Sequence, residues 1–287
     1  MSASLLYLAD RRALFMGTPL TIRRHVLPVS RMILCLEGEL RYQPFGEGPL
    51  IPCSSLLLPV GLPVTVDSSE ALIADCYLDV CGFDYAVLRQ QARRCEHAIY
   101  CDLRDEQPLR EMLNAARLQL APAAALWPQL EALLNPADLV ASAEHYSDPR
   151  VEQVVARIKR TARDNLSVDE LAAGVGLSGS RLLSLFKQQA GIPIRRYRLW
   201  RRLHYATCLL AEGCSLTEAA MGSGFSDSSH FSRTFSDMLG FQPSALTRSH
   251  CELKILVNPA NGGESAAIST PPELAASSFK CDAHSRG

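Results

Sequence analysis

The chain has 287 residues, 47% hydrophobic and 21% charged, a length that suits two globular domains and a composition that excludes a disordered or fibrous protein. No apolar run approaches the ~18 residues of a membrane span, and the opening MSASLLYLADRR has neither a basic leader nor a long apolar stretch, so a cytoplasmic protein with no membrane partner is expected. The formal charge of −1 hides a division: residues 150–250 hold 14 Lys and Arg against 8 Asp and Glu, and this basic module suggests an anionic polymer as partner.

From about residue 20 to residue 81 the chain reads as short β-prone runs, TIRRHVL, RMILCLEGELRYQ, SSLLLPV, PVTVD and ALIADCYLDV, divided by Gly, Pro, Asp and Ser. Such spacing predicts an all-β sandwich or barrel. Helical periodicity follows over residues 85–95 and 106–120, and continues over 124–140 past Pro128 and Pro136. A first domain over residues 1–140 and a linker over 141–149 result. Asp148 then caps a helix that starts with Pro149 and buries Val151, Val154, Val155 and Ile158. Residues 150–250 form the second domain. The Gly-, Pro-, Ser- and Ala-rich residues 251–287 read as a mostly disordered tail.

The second domain contains an internal repeat. SVDELAAGVGLS, from Ser167, matches SLTEAAMGSGFS, from Ser215, at an offset of 48 residues; after one extra residue the offset of 49 pairs Leu182 with Phe231 and Phe186 with Phe235. Ser167 with Glu170, and Ser215 with Glu218, have capping-box spacing. Gly174 and Gly176, like Gly222 and Gly224, permit a tight turn before a second helix that starts at Ser178 or Ser226. Each unit is thus a helix-turn-helix. In the second helix Leu182, Leu185 and Phe186, or Phe231, Thr234 and Phe235, face a core. Ser180, Arg181, Ser184, Lys187 and Gln188, and in the other unit Ser228, Ser229, Ser232 and Arg233, project away and are the candidate DNA-binding residues. A lone Arg among them has the ordinary alternative of a solvated helix face, and a single unit that of a common helical hairpin; two copies with matching caps, turns and core positions are much harder to dismiss. Between the units one longer helix over residues 195–212 buries Tyr197, Trp200, Leu203, Ala206, Leu209 and Leu210, with Arg195, Arg196, Arg198, Arg201 and Arg202 as candidate phosphate contacts.

Over about residues 150–248 the runs GLSGSRLLSLFKQQAG, RRYRLWRRLHYATCLL and SLTEAAMGSGFSDSSHFSRTFSDMLGFQPSA resemble the AraC/XylS family of transcription regulators, with GFSDSSHFSRTF the most specific piece. Departures occur at Pro193-Ile194, where the family usually has Ser-Pro, at Ser184 in place of a common Arg, at Ser236 in place of a frequent Lys, and at Leu246 in place of a common Tyr. The resemblance implies a bacterial regulator that binds double-stranded DNA through reading helices over about residues 178–190 and 226–239. CLEGELRY followed by GEGPLIPCSSLLLPVGLPV is similar to a cupin-like barrel. The expected fold class is therefore α+β, with an N-terminal cupin-like β-barrel followed by helices and a C-terminal all-α domain whose two helix-turn-helix units are joined by a long helix.

The N-terminal domain is expected to dimerise the chain, bind a small-molecule effector, or both, with RNA polymerase a further candidate partner. Cupin enzymes hold a metal with a histidine cluster, whereas this barrel offers only His25, so no metal, no cofactor and no enzyme activity is expected. A cupin-type dioxygenase or isomerase is the rival reading, and an effector-free adaptor a third. His97, His145, His204 and His230 read as structural or surface residues. Among ten cysteines none forms a C-x-x-C pair, and Cys76, Cys81, Cys95 and Cys101 read as reduced thiols.

Overall fold

The computed structural model describes residues 4–18, 28–45, 48–68, 71–144, 147–239, 243–246 and 253–258. The strands are β1 (Ser4–Leu8), β2 (Ala13–Gly17), β3 (Arg31–Glu37), β4 (Leu40–Pro44), β5 (Ile51–Cys53), β6 (Ser55–Leu58), β7 (Val64–Asp67) and β8 (Leu72–Tyr77), then β9 (Ala92–Glu96) and β10 (Ile99–Leu103) after helix α1 (Asp84–Gln91). Helices α2 (Glu106–Gln119), α3 (Ala123–Leu134) and α4 (Ala137–Ser142) complete the N-terminal part. A last strand, β11 (Leu253–Val257), closes the described chain. One sheet has the order β11-β1-β2-β8-β3-β6-β10-β9, and a second has the order β5-β4-β7.

Strand β3, RMILCLE, shows why the run is apolar without alternation. Successive side chains point to opposite faces. Met32, Leu34 and Leu36 join a core with Leu109, Leu113, Leu126 and Leu130 of α2 and α3. Ile33 and Cys35 join another with Leu40, Tyr42, Val64 and Val66 of the small sheet. Both faces of the large sheet are therefore covered at β3. Near its other edge the small sheet gives way to the C-terminal domain: Leu8, Ala13 and Tyr77 pack into one core with Val151, Val155, Phe186, Tyr197 and Trp200. Arg31 and Asp75 are 2% exposed each and stand at this transition, joined by Nε–Oδ1 and Nη2–Oδ2 bonds of 2.6 and 2.5 Å. Such a bidentate pair offsets the cost of burying two charges.

The structure departs from the expected elements in four places. Strands β1 and β2 precede residue 20, and each buries alternate residues on the sheet, Leu5 and Tyr7, then Leu14 and Met16. The helix expected over 85–95 stops at Gln91, because residues 92–96 pair with β10 as the antiparallel strand β9. At Pro136 the expected continuous helix divides into α3 and α4, since proline cannot donate the helical hydrogen bond, whereas Pro128 stays inside α3. Finally, residues 253–257, assigned to the tail, form β11, whose backbone groups find partners on the edge of β1. TIRRHVL, His25 and His145 lie outside the described residues.

The C-terminal domain consists of α5 (Pro149–Arg160), α6 (Val168–Ala173), α7 (Gly179–Ala190), α8 (Ile194–Ala211), α9 (Leu216–Gly222), α10 (Ser228–Leu239) and a 3-10 turn over Pro243–Leu246. Asp148 caps α5 through the Arg150 N–H, with Pro149 in the first turn. The expected buried face of Val151, Val154, Val155 and Ile158 is buried.

Candidate nucleic-acid interface

Local chemistry fixes each helix pair. The Ser167 N–H donates to Glu170 Oε2 at 2.6 Å and the Glu170 N–H to Ser167 Oγ at 3.1 Å; Ser215 and Glu218 repeat the exchange at 2.8 and 3.2 Å. These backbone donors hold both glutamates below the usual carboxylate range. In the turns only the second glycine needs a left-handed backbone, Gly176 with φ +66° and Gly224 with φ +85°. The first glycines serve close approach. A Cβ on Gly174 would stand 2.6 Å from Arg157 Nη1, and one on Gly222 2.9 Å from Leu209 Cδ1.

Ser178 caps α7 by accepting from the Arg181 N–H. The second reading helix starts two residues later than the expected 226. Asp227 accepts the His230 N–H at 2.7 Å, and Ser226 donates from its hydroxyl to Asp227 instead of capping the helix. That donated N–H keeps Asp227 low as well. His230 rests edge-on against Phe225, which fits the structural role expected for it.

Both helices bury one face. Leu182, Leu185 and Phe186 on α7, and Phe231, Thr234 and Phe235 on α10, are buried, and α8 between them buries Tyr197, Trp200, Leu203, Ala206, Leu209 and Leu210. Phe186 meets Tyr197 at 5.8 Å between ring centroids, fixing α7 to the start of α8. Phe231 packs with Leu203 and Ala206, fixing α10 further along. At ~1.5 Å per residue the 18 residues of α8 span about 27 Å, so the two reading helices sit on one rigid strut.

The opposite faces are open. Ser180, Arg181, Ser184, Lys187, Gln188, Ser229 and Arg233 are exposed, and Ser228 and Ser232 partly so. Among the described residues, no carboxylate pairs with Arg181, Lys187 or Arg233. Leu183 was missed by the sequence reading. It is 42% exposed and lies beside Ser180 and Lys187 on α7. Its offset of one residue from the buried Leu182 was the available signal.

The arginines of α8 divide differently from expectation. Arg201, 8% exposed, bonds the Asp10 carbonyl and carboxylate. Arg198 donates to the carbonyls of Asp164 and Leu166, and Arg202 to the Ala162 carbonyl and Asn165 Oδ1. Arg201 is thus held inside the protein and leaves the set of phosphate candidates, whereas Arg198 and Arg202 stay partly exposed while bracing the carbonyls that follow α5. Arg195 stays exposed.

Comparison with known proteins agrees with this architecture. Residues 171–249 match a family model described as a helix-turn-helix domain. The arabinose operon regulatory protein of Escherichia coli K12 is 34% identical over 110 residues, 38% of this chain and 37% of that protein. The transcriptional activator RhaS of Klebsiella pneumoniae is 34% identical over 119 residues, 41% of this chain and 42% of its own length. The matches thus span less than half of these relatives. ToxT of Vibrio cholerae, at 11% identity, superposes with a TM-score of 0.54 over 82% of this chain and 97% of its own, and so shares the two-domain fold. Over its C-terminal domain the chain is thus similar to these transcription regulators, and residues 171–249 form a helix-turn-helix domain of the matched kind.

Proposed function

We propose that the chain is a sequence-specific regulator of transcription that reads double-stranded DNA with α7 and α10. The observation that carries this reading is the pair of polar, unpaired ridges on two capped helices held by one strut, since a helix of this kind fits the major groove with its N-terminal half at the base edges. Arg181, Lys187 and Arg233 supply charge for phosphate or guanine; Ser180, Ser184, Gln188, Ser228, Ser229 and Ser232 supply hydrogen bonds; Leu183 supplies an apolar contact of the kind a thymine methyl accepts. The departure at Ser184 places a short hydroxyl where an arginine is common, so the charge of α7 rests on Arg181 and Lys187.

The N-terminal domain is the regulatory half, acting as a dimerisation surface, an effector sensor, or both, and RNA polymerase is the partner through which activation would pass. ToxT has been crystallised with an unsaturated fatty acid bound. Here a cleft of about 1270 Å³ between the β1–β2 turn, α4 and α5, lined by Arg12, Phe83, Asp84, Val140, Val155 and Lys159, offers a place for an effector at the domain junction. An effector there shifts the equilibrium only by preferring one domain arrangement. The reading assigns no catalysis.

Gel-shift titration of the purified protein against genomic fragments tests the reading. Sequence-selective binding that weakens steeply with salt is expected. Uniform weak binding to all fragments, or none, would refute it.

A further inference from the structure

The segment that follows the second helix-turn-helix unit does not trail away. Strand β11 lies parallel to β1 over five pairs, from Ser4 with Leu253 to Leu8 with Val257, and the Asn258 N–H continues the ladder to the Leu8 carbonyl at 2.9 Å. Its side chains divide between two cores. Leu256 packs with the sheet and the helices of the N-terminal part, whereas Ile255 packs into the core that both domains share, and β11 lies against α8. The C-terminal domain is thereby held at both ends, by the chain entering α5 and by this strand.

One feature makes the attachment separable. It is a short strand at the edge of a sheet, with all of its side chains exposed or only partly buried, and such elements belong to the low-stability end of local opening. The junction that remains is the apolar cluster of Leu8, Ala13 and Tyr77 with Val151, Val155, Phe186 and Trp200, flanked by polar contacts around the β1–β2 turn: Asp10 takes Lys159 and Arg201, each at 3.1 Å, and the Ala9 carbonyl meets His204 Nε2 at 2.9 Å. We infer that β11 is a releasable strap: docked on β1 it holds the helix-turn-helix domain against the N-terminal sheet, and detached it lets that domain reorient. Its regulatory meaning rests on the DNA-binding reading, but its mechanics do not.

The chain's two tryptophans allow a test without DNA. Trp127 lies in the N-terminal core, and Trp200 sits at the junction with its ring 5.2 Å from Tyr77. In a Trp127→Phe background, emission and acrylamide quenching report on the junction alone. Lys254 is exposed, and alternation along a parallel strand places its N–H, like that of Asn258, toward β1. Lys254→Pro removes that donor without removing packing, and Lys254→Thr keeps it. Relative to the parent, Lys254→Pro and a chain ending at His250 should show red-shifted Trp200 emission and severalfold stronger quenching with native far-UV circular dichroism. Lys254→Thr should match the parent. A peptide of residues 251–260 added to the shortened chain should reverse the change. Unchanged emission in the chain ending at His250, which has no strand to dock, would overturn the proposal. Global unfolding of Lys254→Pro would overturn it too, by making β11 an integral strand. Because no DNA enters, a negative result leaves the DNA reading intact, and a failed gel shift leaves the strap intact.

Discussion

Arg233 stands on the exposed face of α10 with no carboxylate partner among the described residues, so its charge is available to an incoming ligand. If it makes a bidentate contact to guanine, Arg233→Ala should weaken specific binding by ~1–3 kcal/mol and relax the preference at one base pair, with little change in binding to unrelated DNA. A competition gel shift reads both numbers. Loss that is equal on all sequences would reassign the residue to phosphate. His204 has the opposite character. Burial, and then Arg201, hold its pKa down at about 3 against an ordinary 6.5, so the ring is neutral and, as that tautomer, donates to the Ala9 carbonyl. Between those two values the unfolded chain binds more protons than the folded one. The contribution to stability is therefore complete above about pH 6.5 and is lost as pH falls through the window toward 3. Urea midpoints should drop between pH 7 and pH 5, and His204→Gln, which can still donate to Ala9, should show a smaller drop. An identical pH dependence in the two proteins would contradict this assignment.

At the scale of the element, the two capping boxes are the clearest case of local sequence dictating local structure. Ser167 and Ser215 each satisfy a backbone donor at the start of a short helix that has little propensity to form alone. Ser167→Ala and Ser215→Ala should each cost ~1 kcal/mol, seen as a lower denaturant midpoint at unchanged slope. A change in slope would mean that the compactness of one state had altered instead. The second reading helix shows how the same logic can slip by a residue. Ser226 and Asp227 both have capping chemistry, and the carboxylate takes the role while the hydroxyl becomes its donor. In α8 five arginines are candidate phosphate contacts by sequence, yet Arg201 is four residues after the buried Tyr197 and shares its face. The periodicity was legible; the carboxylate of Asp10 that makes such burial tolerable, 191 residues away, was not.

For the whole molecule the decisive feature is the core shared between domains. Leu8, Ala13 and Tyr77 contribute to the same cluster as Phe186 and Trp200, and Asp10 ties the β1–β2 turn to α5 and α8. Domains joined by an apolar interface of this kind should unfold together. Denaturation followed by Trp127 in Trp200→Phe and by Trp200 in Trp127→Phe should therefore give coincident transitions, after allowance for each substitution's own effect on the midpoint. Well-separated transitions would show that the domains are energetically independent.

By itself the sequence determined the duplicated helix pairs, their caps, their turns and their two-sided character, because each depends on residues three to five apart and on backbone groups that every helix end leaves unsatisfied. It determined most β-prone runs for the same reason. Tertiary structure alone decided which runs paired: that residues 92–96 turn from helix to strand against β10, that residues 253–257 return to β1, and that Arg201 is buried against Asp10. The β9–β10 hairpin pairs residues only 3 to 11 apart, but the other two outcomes rest on partners distant in sequence, and a hydrogen bond or ion pair with a distant partner leaves no periodic trace in the chain.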